Sequence, residues 1–257
     1  MVVEHSVFRN AVPFPSDEVG ILHLIPGRAT QTLVLFVHGY TGDHYVTWGN
    51  TPFLMLDDAD FQGVDLCFLG YGASVSGCAA LGMYLSTVLH RATRGHAPFQ
   101  YGYERVVLVA HSLGGLGVRA ALLHLSRSNP NLLTKIPVCL LVAPPLFGFH
   151  ASRLRFKLAI ETLSLITPVV LDLRVDEPEL LELREGTDRA LASINPRPTT
   201  SFRWALYDRI VVSPPATYVP PPPDTQEAWP YGHTNSVKPD TKVHPFYKNL
   251  REIVQSF

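Results

Sequence analysis

Short, almost unbroken apolar runs recur along the chain, with amphipathic stretches between them. The runs are Thr32 to Val37, Val64 to Leu69, Arg105 to Ala110, Ile136 to Val142 and Ser201 to Leu206, rich in Val, Leu and Phe. A strand with one wet face alternates apolar and polar residues. Continuous apolar character predicts strands covered on both faces, as in a parallel sheet. Between the second and third runs, Leu81, Tyr84, Leu85, Val88 and Leu89 fall at i, i+3, i+4, i+7 and i+8, one stripe of a helix. Leu113 to Ser126 and His244 to Gln255 are helical in pattern as well. Strand and helix in alternation predict a mostly parallel, doubly wound α/β sheet flanked by helices, with right-handed crossovers.

Two regions break this rhythm. Ala151 to Ile194 carries two helical patterns interrupted by Pro168 and Pro178, which predicts a small helical insertion over the sheet edge; ordinary crossover helices would read the same way. Pro220 to Pro223 is a four-proline run, expected to be extended as polyproline and to form a stiff loop. A partner domain could also recognise such a run.

Composition narrows the reading. A chain of 257 residues that is 46% hydrophobic can bury a large core, and one domain, 1–257, with the insertion is expected. With 21 basic against 22 acidic residues, no net field draws in nucleic acid or an anionic membrane, so a small or neutral ligand fits better. Cys67, Cys78 and Cys139 are odd in number and set in apolar surroundings, as reduced core thiols would be. The opening MVVEHSVFRN has no basic region followed by an apolar segment, and no apolar run reaches membrane-spanning length. A cytoplasmic protein without a membrane span is expected. No metal-ligand spacing stands out and no cofactor is required by the pattern.

Chemistry enters at "VLVAHSLGGLG", residues 107–117. An apolar strand stops at one serine and is followed by glycines and a helical run. A residue on such a turn is presented at the carboxyl end of the sheet, and the positions two before and two after it must be small, here Ala110 and Gly114. A serine in a tight strand-to-helix turn without a catalytic role would give the same pattern. As a nucleophile Ser112 needs a base, and the base an orienting acid, which come after a nucleophile of this kind in the order acid, histidine. Asp208, in "WALYDRIVV", comes just after the last strand-like run; a turn aspartate paired with Arg209 is the alternative. His233 lies in the flexible "YGHTNSVKP", and His244, before a proline at a helix start, is the reserve base. His111 and His38 are expected to be structural. Backbone amides of Leu113 and Tyr40 are the expected oxyanion donors, the second from the loop in "LVLFVHGYTGD".

With "VHGYTGD", "AHSLGG", "YDRIV" and "GHTNSVKP" in place, the chain from residue 32 to 257 resembles the α/β-hydrolase superfamily of serine esterases and lipases. More narrowly it is similar to the serine-esterase group related to inositol-deacylase-like lipases, in which an HG turn is followed by Gly-Asp and Thr-Trp, here Gly42, Asp43, Thr47 and Trp48, and an H-x-x-x-V-K stretch recurs. Ala110 in place of the first elbow glycine matches a minority pattern of small bacterial lipases. The resemblance implies an α/β-hydrolase fold, Ser112 as nucleophile, Asp208 as acid and His233 as base, with a small-molecule ester or lipid as substrate. Tyr45, Trp48, Phe147 and Phe149 are expected to line an acyl or aryl pocket, and 151–194 to form a lid or acyl groove; a place in the core is the alternative for both. Thioesterase, amidase and acyltransferase activities could use the same residues, and a noncatalytic interaction module could keep the fold.

Overall fold

The computed structural model describes residues 10–14, 19–24, 30–71, 77–149 and 178–257. In chain order its elements are β1 (Asn10–Pro13), β2 (Val19–Leu24), β3 (Thr32–Val37), α1 (Thr51–Leu56), β4 (Val64–Gly70), α2 (Gly77–Arg94), β5 (Arg105–His111), α3 (Leu113–Ser128), α4 (Pro130–Leu133), β6 (Val138–Val142), α5 (Pro178–Leu181), α6 (Thr187–Leu191), β7 (Thr199–Ala205), β8 (Thr225–Trp229) and α7 (Pro245–Gln255). The strands form one eight-stranded sheet in the order β1-β2-β4-β3-β5-β6-β7-β8. Pairing is parallel from β4 through β8, while β1 and β2 join one edge antiparallel. The chain therefore has the expected α/β-hydrolase architecture.

Every residue of β3 and β4 is buried, because helices cover both faces. Leu33, Leu35 and Val37 of β3 pack toward Leu81, Leu85, Leu116 and Val118 of α2 and α3. The alternate residues Val34 and Phe36 pack toward Phe246, Leu250 and Val254 of α7. That two-sided burial is what the continuous apolar runs encode.

Several sequence expectations are adjusted. β6 begins at Val138 rather than Ile136, and β7 begins at Thr199 and ends at Ala205 rather than running from Ser201 to Leu206. β1, β2 and β8 join the sheet without having stood out in the pattern. The proline run is not extended throughout: Pro222 and Pro223 occupy a turn that the Asp224 N–H closes onto the Pro221 carbonyl at 3.0 Å, and β8 starts directly after it. Of the expected insertion, 151–177 lies outside the described residues; its last part, from Pro178 to Leu191, is helical, with α5 and α6 joined by a π-helical turn, Glu182–Gly186.

This helical segment is tied to α3 by Arg119, which is completely buried. Its Nε donates to the Leu183 carbonyl at 2.6 Å, and its Nη2 donates to the Arg184 carbonyl and to Asp188 Oδ1, the latter at 2.6 Å. Two of these acceptors come from the widened turn, where the i→i+4 ladder is interrupted. Removing the guanidinium leaves a largely buried carboxylate and two carbonyls unpaired, so Arg119→Met is expected to destabilise the protein by about 3–5 kcal/mol. Urea unfolding of the variant against the native chain reads this loss directly, and a change below about 1 kcal/mol would refute the clamp.

Candidate active site

β5 ends at His111 and α3 begins at Leu113, so Ser112 alone makes the corner. Its φ of 53° and ψ of −126° are unusual for a residue with a side chain and cost about 1–3 kcal/mol. Neighbouring contacts hold it there. The Ser112 N–H donates to the Val142 carbonyl, and the Gly115 N–H donates to the Ser112 carbonyl, both at 2.9 Å. A Cβ on Gly114 would stand 2.4 Å from the Val37 carbonyl oxygen and 2.5 Å from that of His38, so only glycine lets the first turn of α3 approach the end of β3. On the other side, a Cβ on Gly39 would lie 2.8 Å from Ser112 Cβ. The small residues thus set how close the loop after β3, the serine and the helix can come.

The loops after β7 and β8 complete the arrangement. Asp208 follows β7 and His233 follows β8, and the parallel order β6-β7-β8 carries both toward the serine. His233 Nδ1 lies 2.7 Å from Asp208 Oδ2, and His233 Nε2 lies 2.9 Å from Ser112 Oγ. The other carboxylate oxygen, Oδ1, accepts the Ile210 and Val211 amides at 2.8 and 2.9 Å. Burial on its own would raise the Asp208 carboxyl, but the bond and charge of His233 and these two amides outweigh it and hold the group below its ordinary value. An ionised Asp208 fixes the proton on Nδ1, leaving Nε2 to accept from the serine hydroxyl. Asp208 pairs in this way with His233, where the alternative had it paired with Arg209.

The other histidines have different work. His244 caps α7, its Nδ1 accepting the Phe246 N–H at 3.2 Å, and its ring lies against Tyr231, 4.3 Å between centres and tilted by 37°. It is not drawn to the serine. His38 is buried and stacked on Tyr71 at 4.2 Å, with Nδ1 donating to the Gly39 carbonyl at 2.7 Å, while the Tyr71 hydroxyl donates to the His38 carbonyl at 2.5 Å. This braces the loop that carries the Tyr40 amide. The loop is closed further by Gly42 N–H to the Gly39 carbonyl at 3.1 Å, by Asp43 Oδ1 accepting the Tyr45 and Val46 amides, and by Thr47 Oγ1 accepting the Asp43 amide. Leu113 opens α3, a position whose amide has no partner within the helix.

Sequence reasoning did not reach two groups that act on His233. His111 Nε2 donates to the His233 carbonyl at 3.0 Å, and Ser236 Oγ donates to the same oxygen at 2.7 Å. The serine could have been found, since a hydroxyl three residues after a loop histidine commonly closes a local turn. The His111 bond spans 122 residues and leaves no local trace.

A model of the Alpha/beta hydrolase family matches residues 34–248. The chain belongs to the alpha/beta hydrolase family. At the level of sequence, no curated protein matches it. Among solved structures, this alpha/beta hydrolase is similar to Bacillus licheniformis lipase BlEst2 in its mature form, 16% identical with a TM-score of 0.60 over 87% of this chain and 93% of that one. It is also similar to Legionella pneumophila phospholipase PlaB, 14% identical with a TM-score of 0.63 over 88% of this chain and 60% of that one. Paleococcus ferrophilus monoacylglycerol lipase, 14% identical, gives a TM-score of 0.56 over 97% of this chain and 98% of that one. At such identities the likeness is one of fold. No helix among the described residues is long and apolar enough to cross a membrane, and no group of three or more His, Cys, Asp or Glu among them is placed to hold a metal ion.

The aromatic residues expected to form a substrate pocket are dispersed in this hydrolase. Trp48 is a correction: it is completely buried between Phe36 and Phe246, on the sheet face opposite α3, because its indole fills the core under α7. Tyr45 packs on Phe68 and Phe53, with its hydroxyl 3.3 Å from His23 Nε2. Phe149 pairs with Val211 through its backbone and so borders the Asp208 loop. Phe147 does line a groove, of about 480 Å³, together with Arg184, Asp188 and Tyr218. None of Ser112, Asp208 and His233 lines it.

Burial pushes the His111 imidazole down to about 3, with the nearby His233 adding to the effect. The unfolded chain binds a proton below about pH 6.5 that folded His111 refuses, so this group's contribution is present at neutral pH and is lost as pH falls from there toward 3. His38 and His244 are lowered by burial too and act with the same sign. Between pH 6.5 and pH 5, His111 is expected to remove about 2 kcal/mol of stability. Urea unfolding at the two pH values checks it, since His111→Gln should lose about 2 kcal/mol less than the native chain over the same interval.

Proposed function

We propose that this alpha/beta hydrolase is a carboxylic ester hydrolase, an esterase or lipase, that works through an acyl-enzyme on Ser112. The observation that carries the reading is the line of hydrogen bonds from Ser112 Oγ through His233 to Asp208, built on a strained corner at the end of a buried strand. His233 takes the hydroxyl proton as Oγ attacks the ester carbonyl carbon, and the Leu113 and Tyr40 amides receive the oxyanion. The proton then passes to the departing alkoxide as the carbon–oxygen bond breaks. In the second half His233 takes a proton from water, the hydroxide attacks the acyl carbon, and the bond from that carbon to Oγ breaks, releasing the carboxylic acid as Oγ recovers a proton from His233. Asp208 holds the tautomer and stabilises the imidazolium in both halves.

Carboxylic esters are favoured over thioesters and amides by the similarity to a lipase, a phospholipase and a monoacylglycerol lipase. Kinship with the inositol-deacylase-like group rests on Gly42, Asp43 and Thr47, whose backbone and side chains close the oxyanion loop upon itself. A reducing cytoplasmic setting suits Cys67, Cys78 and Cys139, which are buried and form no disulfide. The test is turnover of p-nitrophenyl esters graded from acetyl to palmitoyl, beside matched thioesters and anilides. Ester turnover abolished by Ser112→Ala is the expected result, and the length profile separates esterase from lipase. Turnover confined to thioesters or anilides would replace the ester reading, and equal ester turnover by both proteins would remove it.

A further inference from the structure

We infer that His111 is a positioning residue for the catalytic base, holding the backbone of His233 to the strand that carries the nucleophile. The inference rests on the roles proposed above for Ser112 and His233. The end of β5 and the corner that follows it supply two consecutive residues to the site, His111 and Ser112. One presents the hydroxyl to His233 Nε2, and the other donates from its own Nε2 to the His233 carbonyl at 3.0 Å. Nucleophile and base are thereby referenced to the same strand end, so a small shift of β5 moves both together. The remaining bond to that carbonyl, from Ser236 Oγ, is internal to the loop and fixes its turn without anchoring it to the sheet.

The chemistry of the donor suits the place. The imidazoles of His111 and His233 lie 4.8 Å apart, centre to centre, tilted by 48°. His233 becomes an imidazolium during each half of the proposed reaction, and a cation at 111 would oppose that charge across a water-poor gap. Lysine or arginine could reach a carbonyl but would bring a permanent charge. A histidine only 5% exposed donates while staying neutral.

Three variants test this. His111→Gln keeps an uncharged donor of similar reach, His111→Phe keeps the ring without the donor, and His111→Asn is too short to reach the carbonyl and replaces the phenylalanine variant if that one does not fold. Two readouts are taken: kcat and KM on the preferred p-nitrophenyl ester, and the far-downfield proton resonance of the hydrogen bond between His233 Nδ1 and Asp208. In folded His111→Phe, kcat is expected to fall about 100-fold at unchanged KM, the scale of a small misplacement of a reacting group, with the downfield proton broadened by exchange. His111→Gln should restore both to near native values. A sharp native-like proton and native kcat in His111→Phe would overturn the inference, as would equal impairment of the glutamine and phenylalanine variants. If the native chain turns over no ester while the proton follows the expected pattern, the ester reading fails and the positioning role stands.

Discussion

Ser112→Ala is expected to lower kcat for the preferred ester by about 10⁶-fold, leaving only what the oxyanion donors and binding supply. The size follows from the roles proposed above for the serine, histidine and aspartate, which in such a mechanism act as a unit. Without Oγ there is no acyl-enzyme, and His233, 2.9 Å from the missing oxygen, has no proton to take. Stability should change little or improve, because Ser112 holds a backbone conformation that costs energy in any residue with a Cβ and alanine keeps the same Cβ. Pre-steady-state kinetics with substrate in excess show the difference: an initial burst of p-nitrophenol stoichiometric with enzyme is expected with the native chain and absent from the variant. A variant retaining more than about one part in 10³ of the native rate would mean that the acyl group does not pass through Ser112.

Asp208→Asn is expected to cost about 10⁴-fold in kcat with the fold intact. The introduced carboxamide would keep its oxygen as acceptor for the Ile210 and Val211 amides, so the turn survives. Its nitrogen would then face His233 Nδ1 at the place where the Asp208 Oδ2 accepts at 2.7 Å. Nδ1 must become an acceptor, the proton moves to Nε2, and a protonated Nε2 cannot take the serine proton. The native carboxylate avoids this over the working pH range, since its bonds to His233 and the two amides outweigh the cost of burial and keep its carboxyl below the ordinary value. Loss of its charge is therefore confined to pH below the ordinary carboxylate range. A pH profile of kcat/KM for both proteins checks the assignment. Asp208→Asn with native kcat would mean that the contact between Asp208 and His233 has no part in turnover.

Much of the fold is legible in the chain because its central strands are buried on both faces. β3 matches its apolar run residue for residue, and β4 and β5 extend theirs by one residue each. β8 is hidden for the opposite reason. Its residues Thr225, Gln226, Glu227 and Ala228 are exposed, and it belongs to the sheet through backbone pairing with β7, which any side chains can accompany. Trp48 misled in a related way: an aromatic residue near a catalytic loop has the same composition whether it faces a ligand or the core, and here it faces the core.

The order of the parts is written in the chain alone: a lone serine between a buried strand and a glycine-rich helix, then an acid after one strand and a histidine in a later loop. That much is local, because turn geometry and strand burial leave their mark within a few residues. Which atoms meet is settled by packing across the whole sheet. Ser112 and His233 are 121 residues apart, Asp208 and His233 are 25 apart, and His111 reaches the His233 carbonyl across 122. Those contacts exist because β6, β7 and β8 lie side by side in parallel register, which brings the loops at their ends together. The same packing sends His233 to the serine and leaves His244 to cap a helix. Such choices depend on distances across the sheet, and linear spacing carries no information about them.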